Sequence, residues 1–226
     1  MRGLGLCRIL IDAGIEAPLS NRPPVAQFER NAAARRRVFR AKEQSGSVPV
    51  ICDGWATVVE YLPSGRRQIL SFLLPGDLVS TNILFENRIC HDVEAVTAVC
   101  HRTFDRAGLW ETVVARPEVL ESFVKNCVAE KHRHDELILD LGRRKAKQRI
   151  ARLILELTSR LAVHRAVRSQ TFNFPLRQTH VADALGLTAP YVNQVLKAFR
   201  KRRLIKLEKR SLTILDGAKL HRMIDE

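Results

Sequence analysis

Apolar positions along this chain change period after residue 116, from two to that of a helix. From about Val48, apolar and polar residues alternate in short runs, as in VPVICDGWATVVEYL and RRQILSFLL, and the alternation continues through DVEAVTAVCHRTFD. Pro63-Ser64-Gly65 and Pro75-Gly76-Asp77 punctuate the runs. A period of two broken by Gly and Pro predicts short antiparallel strands, here a small β-roll. Ahead of it, residues 1 to about 35 read as helical and irregular, with a break at Pro23-Pro24. NAAARRRVFR reads as a short basic helix or the exit from one.

After Arg116-Pro117 the pattern turns helical. Leu120, Val124, Cys127, Lys131, His134, Ile138 and Leu141 recur at alternating spacings of four and three. That is a heptad seam suited to pairing two chains, and it is compatible with a core helix lying on the β-roll. Pro117 suits a first helical turn. Gly142 with RRKAK marks a hinge; QRIARLILELTSRLAV then reads as a new amphipathic helix, followed by a polar loop to Pro175.

The stretch from Gln178 to Leu196, QTHVADALGLTAPYVNQVL, has the spacing of a helix-turn-helix. Ala182 lets two helices cross closely, Gly186 supplies an unhindered turn, and Val192 and Val195 point back onto the first helix. Thr188 is expected to cap the second helix through its hydroxyl. LIKLEKRSLTILD alternates around a charged turn and predicts a two-stranded wing. The fold class is therefore α+β. An antiparallel, cupin-like jelly roll occupies residues 1–116, a dimerisation helix 117–141, and a winged helix-turn-helix 142–226.

Charge sharpens this picture. The 226 residues are 46% hydrophobic and carry a formal net charge of +14, enough apolar content for a core and a balance that favours a polyanionic partner. Residues 177–210 hold nine Lys or Arg against Asp183 and Glu208, so +7, half of the total, lies in the helix-turn-helix and wing. No apolar run approaches the roughly 20 residues that span a bilayer. The stretch MRGLGLCRIL is too short in its apolar part for a secretion signal, and no membrane partner and a cytoplasmic location are expected.

Five scattered cysteines (7, 52, 90, 100, 127) form no C-x-x-C pair and read as free thiols. Cys127 falls in the seam and is the candidate for redox control through an interchain disulfide. KHRHDE, with Cys90-His91 and Cys100-His101, is the only other candidate metal or haem cluster. His132 and His134, two apart on a helix, point to different sides. An enzyme of cupin type needs more inward histidines than His91 and His101, and no G-x-S-x-G, H-E-x-x-H or Gly-rich phosphate loop occurs. No enzymatic activity, metal or cofactor is expected.

DGWATVVEYLPSGRRQILSFLLPGDLV, LGRRKAKQRIARLILEL and VADALGLTAPYVNQVLKAFRKRRLI together resemble the cyclic AMP receptor protein and fumarate-nitrate reduction regulator (CRP/FNR) superfamily, most closely its alphaproteobacterial members. The resemblance covers roughly residues 35–215. It implies a homodimeric bacterial transcription regulator that binds a two-fold symmetric operator on double-stranded DNA and contacts RNA polymerase. The recognition helix then runs from Thr188 to Phe199, with Ala189, Pro190, Asn193 and Gln194 at base edges. Gln178, Thr188, Lys197, Arg200, Lys201, Lys209 and Arg210 are placed at the DNA backbone. Where cyclic-nucleotide-binding relatives place a Gly-Glu-Leu turn and an Arg-Ser pair, this chain has Ser80-Thr81-Asn82 and Cys90-His91-Asp92, and His134-Asp135 replaces their Thr-Ser. No Arg is expected at the phosphate position, which argues against cyclic AMP as effector. A lone N-terminal cysteine, Cys7, argues against an iron-sulfur cluster.

Overall fold

Strands begin earlier than the alternation suggests. In the computed structural model, which describes residues 27–164 and 170–225, β1 (Gln27–Ala32) and β2 (Arg37–Phe39) occupy the Ala- and Arg-rich stretch that reads as helix. Pairing explains the reversal. Arg30, Asn31 and Ala32 lie opposite His101, Cys100 and Val99, and Arg37 and Phe39 lie opposite Glu94 and Val93. Helix propensity spread over a few Ala and Arg residues amounts to tenths of a kcal/mol each, less than two ladders plus the packing of Phe39 against both core clusters. Arg35, at φ 66°, turns the chain between the two strands. Pro23-Pro24 lies outside the described residues.

The chain forms two units, one from the described residues up to Glu60 with Leu70–Lys131, the other from Tyr61–Ile69 with His132 onward. The roll continues through β3 (Ser47–Asp53), β4 (Ala56–Tyr61), β5 (Arg67–Leu73), β6 (Asp92–Ala95) and β7 (Val99–Asp105). These strands form two sheets, ordered β1-β7-β3 and β2-β6-β4-β5. Val48 and Val50 of β3 pack with Phe104 and with residues from three helices, α1 (Ile83–Glu86), α2 (Arg106–Ala115) and α3 (Pro117–Gly142). Ile51 faces the other way, into the roll interior with Val58, Val93 and Val99. Burial on both faces is why VPVICD reads as a nearly continuous apolar run rather than a clean alternation.

Helix begins before Pro117 as well. Asp105 caps α2 by accepting the Gly108 N–H at 2.8 Å, and Leu109 and Val113 are buried against the roll. The 26 residues of α3 then bury Val119 and Phe123 in the same cluster.

His101 is the polar exception in the roll. Its side chain is buried against the edge of the Phe39 ring, and its Nδ1 has no hydrogen-bond partner. Burial lowers its pKa below the usual value, and the nearby Arg30 lowers it further. A histidine held neutral in the fold, but free to protonate when unfolded, contributes stability above its unfolded pKa of about 6.5 and loses it as pH falls toward the folded value. The denaturant midpoint is therefore expected to drop between pH 7.5 and pH 5.5. His101→Leu should flatten that window and add about 1 kcal/mol, since an unpaired buried polar atom is removed. An unchanged pH profile in the variant would count against this account.

In the second unit α4 (Ala146–His164) buries Ile150, Ala151, Ile154 and Leu157. Against it pack α5 (Gln178–Leu185), α6 (Ala189–Lys201) and α7 (Gly217–Asp225). The wing has three strands rather than two: β8 (Thr171–Asn173), within the expected polar loop, pairs with β10 (Ser211–Ile214), which also pairs with β9 (Ile205–Glu208). Among the described residues no helix is long and apolar enough to cross a membrane.

Candidate nucleic-acid interface

Local chemistry builds the helix-turn-helix. At the end of α5, Gly186 takes φ 63° and Leu187 N–H donates back to Ala182 O at 3.0 Å, closing the helix with a left-handed residue. A Cβ at Gly186 would sit 3.4 Å from Leu141 Cδ2, in a conformation that L side chains rarely adopt. Val181, Ala182, Ala184 and Leu185 of α5 are buried, as are Val192, Val195, Leu196 and Phe199 of α6. Thr188 is the N-cap of α6, yet its hydroxyl makes no capping hydrogen bond; Pro190 in the first turn needs no N–H partner and takes over part of that role.

With those four residues inward, Pro190, Gln194, Lys197 and Lys201 form one exposed row at helical spacing, with Arg200 also exposed on the flank. Ala189 and Asn193 are half-buried on that flank. Tyr191, 40% exposed beside Gln194, belongs to the same outward face and is missing from the residues singled out by sequence. An aromatic at a position one turn before a polar reader was the available signal. Gln178 and Thr188 are exposed at the starts of α5 and α6.

The wing adds charge by an unfavourable route. Lys209 and Arg210 form the two-residue turn between β9 and β10 with φ of 44° and 66°. Such turns favour Asn-Gly, because each bulky residue in the left-handed region costs on the order of 1 kcal/mol. Lys209→Asn combined with Arg210→Gly is therefore expected to raise stability by about 1–2 kcal/mol while weakening DNA binding. A denaturant melt paired with a DNA titration checks this: changes of the same sign in both would refute it.

Elsewhere, the seam residues Leu120, Val124, Ile138 and Leu141 are exposed along α3, with Val128 beside them; Ile138 is 69% exposed. Lys131 and His134 are exposed too. Cys127 is half-buried and packs toward its own roll; burial, then Glu130, pushes its thiol pKa up. His91 Nδ1 lies 2.9 Å from Glu60, and Cys90 lies beside Glu86 and Asn82. Among the described residues no three His, Cys, Asp or Glu side chains are grouped to hold a metal ion. An arginine does reach the expected phosphate position. β2 brings Arg37 to 3.3 Å from Asp92, so an arginine is at hand there, already paired with a carboxylate.

Two family models match the chain in order, a cyclic nucleotide-binding domain over residues 29–115 and a Crp-like helix-turn-helix domain over residues 148–223. The chain belongs to the CRP/FNR superfamily. Among its relatives, the transcriptional activatory protein AadR of Rhodopseudomonas palustris is 28% identical over 221 residues, 96% of this chain and 87% of AadR. The transcriptional activator protein FnrL of Cereibacter sphaeroides is 29% identical over 198 residues, 86% of this chain and 79% of FnrL. The solved structure of FixK2 from Bradyrhizobium japonicum superposes with a TM-score of 0.76 at 23% identity, covering 88% of this chain and 97% of FixK2. This superfamily member thus pairs a cyclic-nucleotide-binding-type roll with a winged helix-turn-helix, the architecture of DNA-binding transcription regulators.

Proposed function

We propose that the chain is a sequence-specific transcription regulator that acts as a homodimer on a two-fold symmetric operator and contacts RNA polymerase, with no enzymatic activity of its own. The observation that carries this reading is the exposed row Pro190, Gln194, Lys197 and Lys201 on α6, continuous with the basic run to Arg210. In this reading residues 1–116 are the effector-type domain, 117–141 the dimerisation helix and 142–226 the DNA-binding domain. Helix α6 enters the major groove with Ala189, Pro190, Asn193 and Gln194 at base edges. Gln178, Thr188, Lys197, Arg200 and Lys201 meet phosphates, and Lys209 and Arg210 bring the wing to the flanking backbone.

Dimerisation is supported by the apolar stripe Leu120, Val124, Val128, Ile138 and Leu141, which a monomer leaves in water. Burying such a row is the main gain from pairing two helices along a seam. Two recognition helices so joined address half-sites about 34–36 Å apart, one turn of DNA.

Neither cyclic AMP nor an iron-sulfur cluster is the signal in this reading. A cyclic phosphate in the roll needs an unpaired cation or converging donors, and the expected position holds Asp92, on which Arg37 is already spent, beside the His91–Glu60 pair. Titrating operator DNA at several salt concentrations, with and without cyclic AMP, tests the whole proposal. The slope of log K against log salt should be steep, about 0.9 per neutralised phosphate. Arg200→Gln with Lys201→Gln should flatten it and weaken every sequence alike, and cyclic AMP should change nothing. Salt-insensitive binding, or a strong cyclic AMP response, contradicts the reading.

A further inference from the structure

Two thiols on neighbouring strands of the roll have no part in DNA binding. The ladder between β3 and β7 runs Val50↔Arg102 and Ile51↔His101, then skips to Asp53↔Cys100. Cys52 is the extra residue of a β-bulge, and together with Asp53 it stands opposite Cys100. Alternation fixes which way it faces. Val50 faces the helix-side cluster and Ile51 the roll interior, and Cys52 turns back to pack against the Val50 cluster. Cys100, one residue from the interior-facing His101 and two from Arg102, lies on that same helix-side face of the sheet.

In a bulge both residues of the wider strand stand opposite one partner, so Cys52 is held beside the Asp53↔Cys100 pair, and a disulfide needs α-carbons roughly 4.4–6.8 Å apart. The two thiols also sense each other: charge on Cys52 opposes ionisation of Cys100. Neither is in a disulfide and both are half-buried, so a small oxidant can reach them. We propose that Cys52 and Cys100 form a redox-modifiable dithiol that a hydroperoxide closes to an intrasheet disulfide.

The chemistry divides unequally between the two sulfurs. Burial, foremost, and Glu29 next push the Cys100 thiol up to about 11, so it stays protonated at neutral pH. Cys100 is thus the poorer nucleophile, and the attack on the peroxide is assigned to Cys52. The O–O bond breaks, one oxygen transfers to Cys52 Sγ as a sulfenic acid, and the remainder leaves as an alcohol, or as water from hydrogen peroxide; the sulfur gives up two electrons. Cys100 Sγ then attacks Cys52 Sγ, forming S–S as S–OH breaks. Its proton passes to the Glu29 carboxylate that it already hydrogen-bonds, which Arg102 holds at 3.3 Å, and on to the departing hydroxide, which leaves as water. The balance is two thiols and one hydroperoxide to one disulfide, one alcohol and one water.

Full-length protein is treated with stoichiometric hydrogen peroxide, quenched, denatured and alkylated, and its intact mass is read. Of the five thiols, two should escape alkylation. Peptide mapping should join Cys52 to Cys100, with the chain monomeric on a non-reducing gel. Cys52→Ser should abolish the cross-link, Cys100→Ser should leave Cys52 trapped as a sulfenic acid by dimedone, and Cys127→Ser should change nothing. Because the main result is read on the unmodified protein, it does not depend on how well the variants fold. All five thiols remaining alkylatable, or a cross-link through any other pair, including an interchain one at Cys127, overturns the proposal.

Discussion

Gln194→Arg is expected to switch the operator's preference at a single base pair from A·T to G·C and to leave the remainder of the site intact. Gln194 is exposed midway along the outward row of α6, between the buried Val192 and Val195. Its amide offers one donor and one acceptor, the pattern that matches adenine N7 and N6, whereas a guanidinium offers two parallel donors, matching guanine N7 and O6. Arginine is the more usual residue at the corresponding position in the superfamily that the sequence resembles. One good bidentate pair is worth about 1–3 kcal/mol of discrimination, so selection from random DNA should show roughly a ten- to hundred-fold change at that position. Gln194→Ala should erase the preference there without creating a new one. An invariant G selected at that position by the unmodified protein would sink the idea, and Asn193 or the exposed Tyr191 would then have to carry the discrimination.

The parts of this molecule that could be read from sequence are those whose partners lie within a few residues of each other. Gly186, Ala182 and the spacing of Val192 and Val195 are local, and α5 and α6 form where that spacing puts them. The stripe on α3 could be read for the same reason, because residues three and four apart on a helix share a face. What escaped depends on distant pairing. β1 and β2 exist because β7 and β6 accept them, and the three residues of β8 exist because β10 has a free edge. Helix α2 was hidden by composition: Gly108 and the β-branched Thr112, Val113 and Val114 weaken its helical signature. Thr188 was expected to cap through its hydroxyl, a rule that holds on average and fails here, where Pro190 follows. Arg37 beside Asp92, and Cys52 opposite Cys100, required a register that no local pattern encodes.

Asp140 is the residue whose loss is expected to cost the most stability. In sequence it is one acid in LILDLGRR, and nothing about its spacing marks it. In the fold it is fully buried at the end of α3, where its carboxylate accepts from Arg144 at 3.0 Å and from Arg152 Nε of α4. Glu136 shares Arg144 at 2.6 Å but is 42% exposed. Arg149 completes the joint by donating to Arg144 O and to Leu185 O, the latter at the end of α5. Charge-assisted bonds thus tie the last turn of α3 to α4, and Arg149 adds a polar link from α4 to the helix-turn-helix beside their apolar packing. Removing one partner of a buried pair leaves the other charge uncompensated, which typically costs about 3–5 kcal/mol. Asp140→Asn keeps the shape but not the charge, and a loss of about 3 kcal/mol in unfolding free energy, read from a denaturant titration, is expected, because Arg144 and Arg152 retain some access to water. Glu136→Gln, on the exposed side of the same network, should cost less than about 1 kcal/mol. Asp140→Leu with Arg152→Leu removes both charges, and should recover much of the stability lost in Asp140→Asn, since apolar replacement of a buried pair is often close to neutral. Recovery would locate the cost in the stranded guanidinium; a double variant as unstable as the sum of its parts would place it in the packing of the joint instead.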